Sequence, residues 1–183
     1  MPDAEDLPPF APSNALENFI IFDGNRRAVA AVCAIRSPRE DRPSPLILVG
    51  PPGSGKTYLA FAAGALLRER EPAARILFVG GATFVSDLVR SVVKQTYDDF
   101  RARYRAPDLL LVDGVDQLFG KEHAQRELAS AVGDLLAAGR RAVLTFREDP
   151  RELPRLWFDL GERSPNRIVL RIERPEVPPD QSA

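Results

Sequence analysis

The sequence predicts an α/β fold in which a five-stranded parallel sheet is sandwiched by helices. Three observations carry this. Short strand-like segments recur at 46–49, 76–79, 109–112, 142–145 and 168–172, and the first is a continuous apolar run, as expected of a strand buried on both faces. Stretches with helical periodicity separate most of them, and strands separated by helices pair in parallel. A glycine-rich segment, Gly50 to Thr57, joins the first run to a helical stretch.

Taken in order, 25–36 reads as a helix with Ala28, Val32 and Ile35 on one face. The polar stretch 37–44 holds two prolines and reads as a surface loop. Strand 46–49 follows, then helix 56–70 with Leu59, Ala63 and Leu66 inward. Strand 76–79 leads into two helical stretches, 84–93 and 97–104, and strand 109–112 comes next. A long helix spans 122–138, with Gly139 placed to end it. Strands 142–145 and 168–172 complete the set. The domain is expected over 16–176, between a proline-rich acidic tail at 1–15 and a polar tail at 177–183.

The chemistry-bearing motif is Gly50-Pro51-Pro52-Gly53-Ser54-Gly55-Lys56-Thr57, which matches the phosphate-binding P-loop pattern in full. The glycines let backbone N–H groups turn inward around a phosphate, and Lys56 supplies a point charge. The Thr57 hydroxyl is a Mg2+ ligand candidate, and the following helix aims its positive end at the same place. Two strands later, Asp108-Leu109-Leu110-Leu111-Val112-Asp113 is an apolar strand ending in a carboxylate. Asp113 is therefore the second Mg2+ ligand candidate. The bland alternatives are a glycine-rich turn and a loop-capping aspartate. The residue after Asp113, where a carboxylate orienting the attacking water is usual, is Gly114.

Around these motifs the chain resembles the AAA+ ATP-binding domain of the DnaA/Hda replication-initiator family. The resemblance is carried by Leu16-Glu17-Asn18-Phe19-Ile20-Ile21 with Asn25-Arg26, by 100–108 running into the apolar strand, and by Leu118-Phe119-Gly120-Lys121-Glu122. Leu144-Thr145, Pro150-Arg151-Glu152-Leu153 and the stretch from Leu160 to Pro175 continue it. It implies ATP or ADP with Mg2+ in the P-loop, with Ile20, Ile21 and Tyr58 beside the nucleotide. It implies an inter-subunit arginine finger at Arg163, and hence a protein partner, either a second copy or another AAA+ protein. It also implies single-stranded DNA gripped near Arg101, Arg103 and Arg105, against the plain reading of a solvated helix face that also carries Asp98 and Asp99. The chain departs from the family at Gly114, at Gly161, and at Arg147, which stands at the polar sensor position. No helical lid or helix-turn-helix domain is expected within these 183 residues.

Composition narrows the function classes. A net charge of -1 gives no chain-wide basic field for nucleic acid, so any such contact is local. Cys33 is the single cysteine, which excludes an internal disulfide and fits a reducing cytoplasm. No apolar run reaches the ~20 residues of a membrane span. His123, the single histidine, has no companion for a zinc site. Trp157 and Phe158 read as core or helix-docking residues, with an exposed partner patch as the alternative. The expected function is a nucleotide-binding domain linked to replication initiation or its regulation, with weak hydrolysis. The alternatives are a transposition-helper or helicase-loader ATPase and a non-catalytic nucleotide-binding regulator.

Overall fold

The computed structural model describes residues 16–17, 19–38, 45–164 and 166–174. Its elements run α1 Asp23–Cys33, β1 Leu46–Val49, α2 Lys56–Arg70, β2 Ile76–Gly80, α3 Gly81–Val93, α4 Tyr97–Arg105, β3 Leu109–Asp113, α5 Glu122–Ala137, β4 Arg141–Phe146, α6 Pro154–Arg163 and β5 Ile168–Arg171. The five strands form one parallel sheet in the order β2-β3-β4-β1-β5. Both tails and most of the expected 37–44 loop fall outside the described residues.

Alternation along each strand sorts the apolar side chains into two cores. Ile47, Val49, Leu110, Val112, Leu144 and Phe146 face α3, α4, α5 and α6. Leu46, Leu48, Leu109, Leu111 and Val143 face α1 and α2. Burial on both faces is why these strands read as continuous apolar runs rather than as alternating ones. The inner face of α2 is mostly small (Ala60, Ala62, Ala63), which lets it lie close to the sheet. Cys33 packs, half-buried, against the second core.

The ends of the elements have local causes. Gly139, at φ 74°, follows the last turn of α5, and the N–H groups of Gly139 and Arg140 close back on Leu136 and Leu135. Pro72 stops α2 in the same way that Pro107 stops α4. The single helix expected over 25–36 is α1 followed by a 3-10 turn at Ala34–Arg36. Helix α3 starts at Gly81, three residues earlier than periodicity indicated. Gly81 is pressed against the Gly114 carbonyl, where a Cβ would sit 2.4 Å from the oxygen. Only glycine lets the start of α3 and the end of β3 approach so closely.

Candidate functional site

Parallel strands present their carboxyl ends on one side of the sheet, where ligands of open α/β folds bind. The register brings the two sequence motifs together there. Leu48 pairs with Thr145 and Val49 with Phe146, so Gly50 leaves the sheet beside β4. Val112 pairs with Leu144, which sets Asp113 level with Thr145. The residues lie 56 positions apart, yet Thr57 Oγ1 is 3.0 Å from both carboxylate oxygens of Asp113.

The P-loop owes its shape to its glycines. Gly53 and Gly55 have φ values of 79° and 89°, in the left-handed region. A Cβ on Gly50 would stand 2.3 Å from the Ile172 carbonyl oxygen, so this close approach also demands glycine. Helix α2 begins at Lys56, directly after Gly55, which aims its first N–H groups into the loop. Ser54 is buried, and Lys56 Nζ donates to the Pro51 carbonyl at 2.7 Å and to Ser54 Oγ at 3.3 Å. Burial lowers the Lys56 pKa from its ordinary 10.5, and Arg147 and Arg174 push the same way, while Asp113 and Asp116 oppose.

A cavity of about 450 Å³ opens here, lined by Pro52, Gly53, Gly55, Lys56, Thr57, Tyr58, Asp113, Gly114, Thr145, Phe146 and Arg147. Asp113 is its one carboxylate among the described residues. A hydroxyl and a carboxylate converging beside a phosphate loop fit Mg2+, which takes few protein oxygens and completes its shell from phosphate and water. No cluster of three or more His, Cys, Asp or Glu suited to a metal occurs among the described residues.

On the β3–β4 side of the cavity the strand register makes contacts that the sequence did not announce. The Thr145 hydroxyl donates to Asp113 Oδ1 at 2.6 Å and accepts from the Gly114 N–H at 2.9 Å. It thereby fixes the Asp113 carboxylate and the backbone after it. Gly114 adopts φ 69°, the chain turns into a 3-10 segment at Val115–Leu118, and Asp116 is carried off the strand axis. The Asp116 carboxylate accepts from the N–H groups of Arg147 and Glu148 and does not line the cavity. Arg174 Nε donates to the Pro52 carbonyl at 2.8 Å. Neither contact had a motif to announce it, because both depend on distant segments meeting.

Other expected site residues lie elsewhere. Ile20 and Ile21 are 75% and 51% exposed and do not line the cavity. Asn25 holds the Phe22 N–H and the Ile20 carbonyl in a turn before α1. It is Phe19 that lies over Gly55 and stacks on Tyr58, with ring centroids 5.2 Å apart. Arg163 is exposed at the end of α6, its aliphatic stem packed where Gly133 of α5 leaves room. Arg101, Arg103 and Arg105 are ion-paired within the chain, to Glu127, Asp87 and Asp134 respectively. Arg101 also lies over the Tyr97 ring, and His123 stacks on the same tyrosine. Trp157 packs half-buried on the core under Arg167, whereas Phe158 is exposed.

Comparison with known proteins agrees with this geometry. A profile described as the bacterial DnaA ATPase domain matches residues 10–168. The chromosomal replication initiator protein DnaA of Roseiflexus castenholzii is 32% identical over 166 residues, 91% of this chain and 35% of that protein. The chain thus spans about a third of the length of such relatives. Among solved structures, domain III of the Thermotoga maritima initiator DnaA superposes with a TM-score of 0.79 at 32% identity, over 88% of this chain and 68% of that one. A replication initiator DnaA bound to AMPPCP and single-stranded DNA gives a TM-score of 0.76 at 32% identity, over 88% and 50%. The DnaC helicase loader, at a TM-score of 0.68 and 18% identity, shares the fold alone. No helix among the described residues is long and apolar enough to cross a membrane.

Proposed function

This chain belongs to the bacterial DnaA ATPase-domain family, and on that premise we propose that its P-loop cavity binds ATP or ADP with Mg2+ in the service of replication initiation or its regulation. The observation that carries the reading is the convergence of Lys56, Thr57 and Asp113 on one cavity at the start of α2. The loop from Gly50 to Gly55 receives the β-phosphate in its backbone N–H groups, as helix N-termini receive anions. Lys56 exchanges the Pro51 carbonyl for phosphate oxygens. Thr57 and Asp113 hold the Mg2+, which neutralises phosphate charge when bound. Tyr58, backed by Phe19, offers an aromatic surface beside the loop.

The same site is poorly equipped for hydrolysis. Gly114 brings no carboxylate to orient water, and Asp116 is occupied by two backbone N–H groups outside the cavity. Groups that move protons are typically worth about 10²–10⁴ in rate, so turnover by the isolated chain is slow unless a partner completes the site. Arg163, exposed at the end of α6, is suited to reach the nucleotide of a neighbour, a second copy or another AAA+ protein. An initiator relative is bound to single-stranded DNA, and the finer proposal here is a DNA contact through Arg101, Arg103 and Arg105. DNA phosphates would then displace the three carboxylates that now pair with these arginines. The domain is proposed to run over 16–176. The DnaC helicase loader shares the fold alone and so does not favour a helicase-loader role, and a non-catalytic regulator differs from the favoured reading in having no turnover at all.

The test is a titration with a fluorescent ATP analogue. Lys56→Ala removes the phosphate point charge and weakens binding by at least about 10-fold, as loss of a charge-assisted hydrogen bond does. Equal affinity in wild type and variant contradicts the site.

A further inference from the structure

A second cavity, of about 790 Å³, lies away from the phosphate loop, beside β2 at the edge of the sheet. Its floor is apolar, formed by Ile76 and Leu77 at the start of β2 with Phe100 and Pro107. Arg68, Arg75, Arg90, Lys94 and Arg103 line it, against only two carboxylates, Asp87 and Asp99. Contacts along the wall fix where this charge sits. Asp87 alone pairs with both Arg90 of α3 and Arg103 of α4, at 3.4 Å each, and it also accepts from the Tyr104 hydroxyl at 2.8 Å. One carboxylate between two guanidiniums leaves a positive wall over an apolar floor. A groove of this kind fits an acidic peptide that also carries apolar side chains. The carboxylates meet the arginines, and the apolar groups cover the floor.

The chain supplies a segment of that chemistry. Asp3, Glu5 and Asp6 fall within four residues and are followed by Leu7 and Phe10. The segment lies outside the described residues, and the family match begins only at residue 10. Pro8 and Pro9 restrict its backbone, which lowers the entropy lost on docking. The groove is within its reach. The Leu16 carbonyl accepts from the Phe19 N–H at 3.1 Å, and Phe19 lies over Gly55, where α2 starts. Arg68 lies at the far end of α2, about 20 Å from Gly55 at the helical rise. The chain from Asp6 to Leu16 spans up to about 33 Å when extended.

We propose that this groove is an interaction surface for acidic peptide, and that its occupant is segment 3–10 of the same chain. The inference goes beyond the nucleotide reading and does not depend on it. Docked there, the three acids balance the excess of guanidinium charge, and Leu7 and Phe10 cover apolar surface that the folded domain leaves open.

The experiment is zero-length coupling of carboxylates to amines with a carbodiimide on the full chain, mapped by mass spectrometry. The chain has three lysines, which makes the map simple. Lys94 lines the groove, Lys56 sits in the phosphate loop, and Lys121 lies before α5 with its ammonium on the Gln117 carbonyl. Asp3, Glu5 and Asp6 are expected to couple predominantly to Lys94. The product is expected to be lost in about 1 M salt, where the Debye length is about 3 Å. In a mixture of isotope-labelled and unlabelled chains, each coupled product is expected to be wholly labelled or wholly unlabelled. A second measurement is amide hydrogen exchange on a variant combining Asp3→Asn, Glu5→Gln and Asp6→Asn, which leaves the folded domain unaltered. Amides over 90–107 are expected to lose protection in it. Coupling of the three acids to Lys121 as readily as to Lys94 overturns the proposal, as does the absence of coupling or unchanged exchange over 90–107. Coupling of Glu176 or Asp180 to Lys94 in their place, or product of mixed label, gives the groove to another segment or to a second copy and overturns the occupant named here.

Discussion

The two corners of the cavity are built on opposite terms. The β1–α2 corner has the full phosphate loop, with glycines at both left-handed positions, a lysine at the helix start and a hydroxyl within 3.0 Å of the Asp113 carboxylate. The β3–β4 corner turns instead into a 3-10 segment and carries different chemistry: a glycine at 114, a carboxylate at 116 turned onto the backbone, and an arginine at 147. On the function proposed here, gripping phosphate and cleaving it are separable in this fold. The first needs a loop and a helix end, which a contiguous segment supplies. The second needs side chains from two strands aimed at one water, and single substitutions undo it without disturbing the sheet.

The largest expected break in this comparison is structural. Gly81→Ala puts a Cβ 2.4 Å from the Gly114 carbonyl. It is expected to cost about 1–3 kcal/mol, as overpacking does, with a clear fall in the thermal midpoint. An unchanged midpoint would mean that the β3–β4 corner is soft. Next, Asp113→Asn removes charge from the proposed Mg2+ site. The gain in ATP affinity on adding Mg2+ is expected to shrink by about 10-fold, whereas affinity in EDTA is kept or improved. Loss of binding in EDTA would give Asp113 a structural role instead.

A third test concerns the helix that lies away from both corners. If Arg101, Arg103 and Arg105 grip single-stranded DNA, affinity falls with salt by roughly 0.7 log unit per log unit for each contact. Replacing all three then flattens that slope. An unchanged slope assigns them to their ion pairs.

The smallest effect belongs to Glu127. Burial works to raise its pKa, but hydrogen bonds from Arg101 and Tyr97 and the Arg101 charge outweigh that, so it lies below the ordinary 4.5. A lowered folded pKa contributes stability above the unfolded value, and that contribution is lost as pH falls through the folded one. Glu127→Gln is therefore expected to cost up to about 1 kcal/mol near neutrality, since Arg101 is nearly half exposed. The difference from wild type should vanish in acid, as pH-dependent melting would show. A deficit that persists there would point to packing.

The sheet, its parallel sense and the P-loop were legible because each is written in contiguous residues: apolar runs for strands, glycines and a lysine for the loop. The site's outer parts were not. Ile20 and Ile21 were expected beside the nucleotide, yet the Asn25 turn leaves them exposed and brings Phe19 inward, and nothing in the apolar run Phe19-Ile20-Ile21-Phe22 tells which member faces the loop. Thr145 was visible as part of a strand, but its bond to Asp113 follows from register between β3 and β4, which no local pattern states. The start of α3 was read too late because a glycine is normally a weak helix residue, and here a close approach to Gly114 outweighs propensity.

The central claim is that this chain grips nucleotide and scarcely hydrolyses it. Steady-state phosphate release with Mg2+-ATP tests it most directly, on wild type beside Gly114→Asp and Arg147→Ala. The account predicts near-background release by wild type and a clear gain in Gly114→Asp, whose carboxylate restores a group of the kind worth about 10²–10⁴ in rate. Brisk release by wild type that Arg147→Ala abolishes would contradict it and make Arg147 an internal finger.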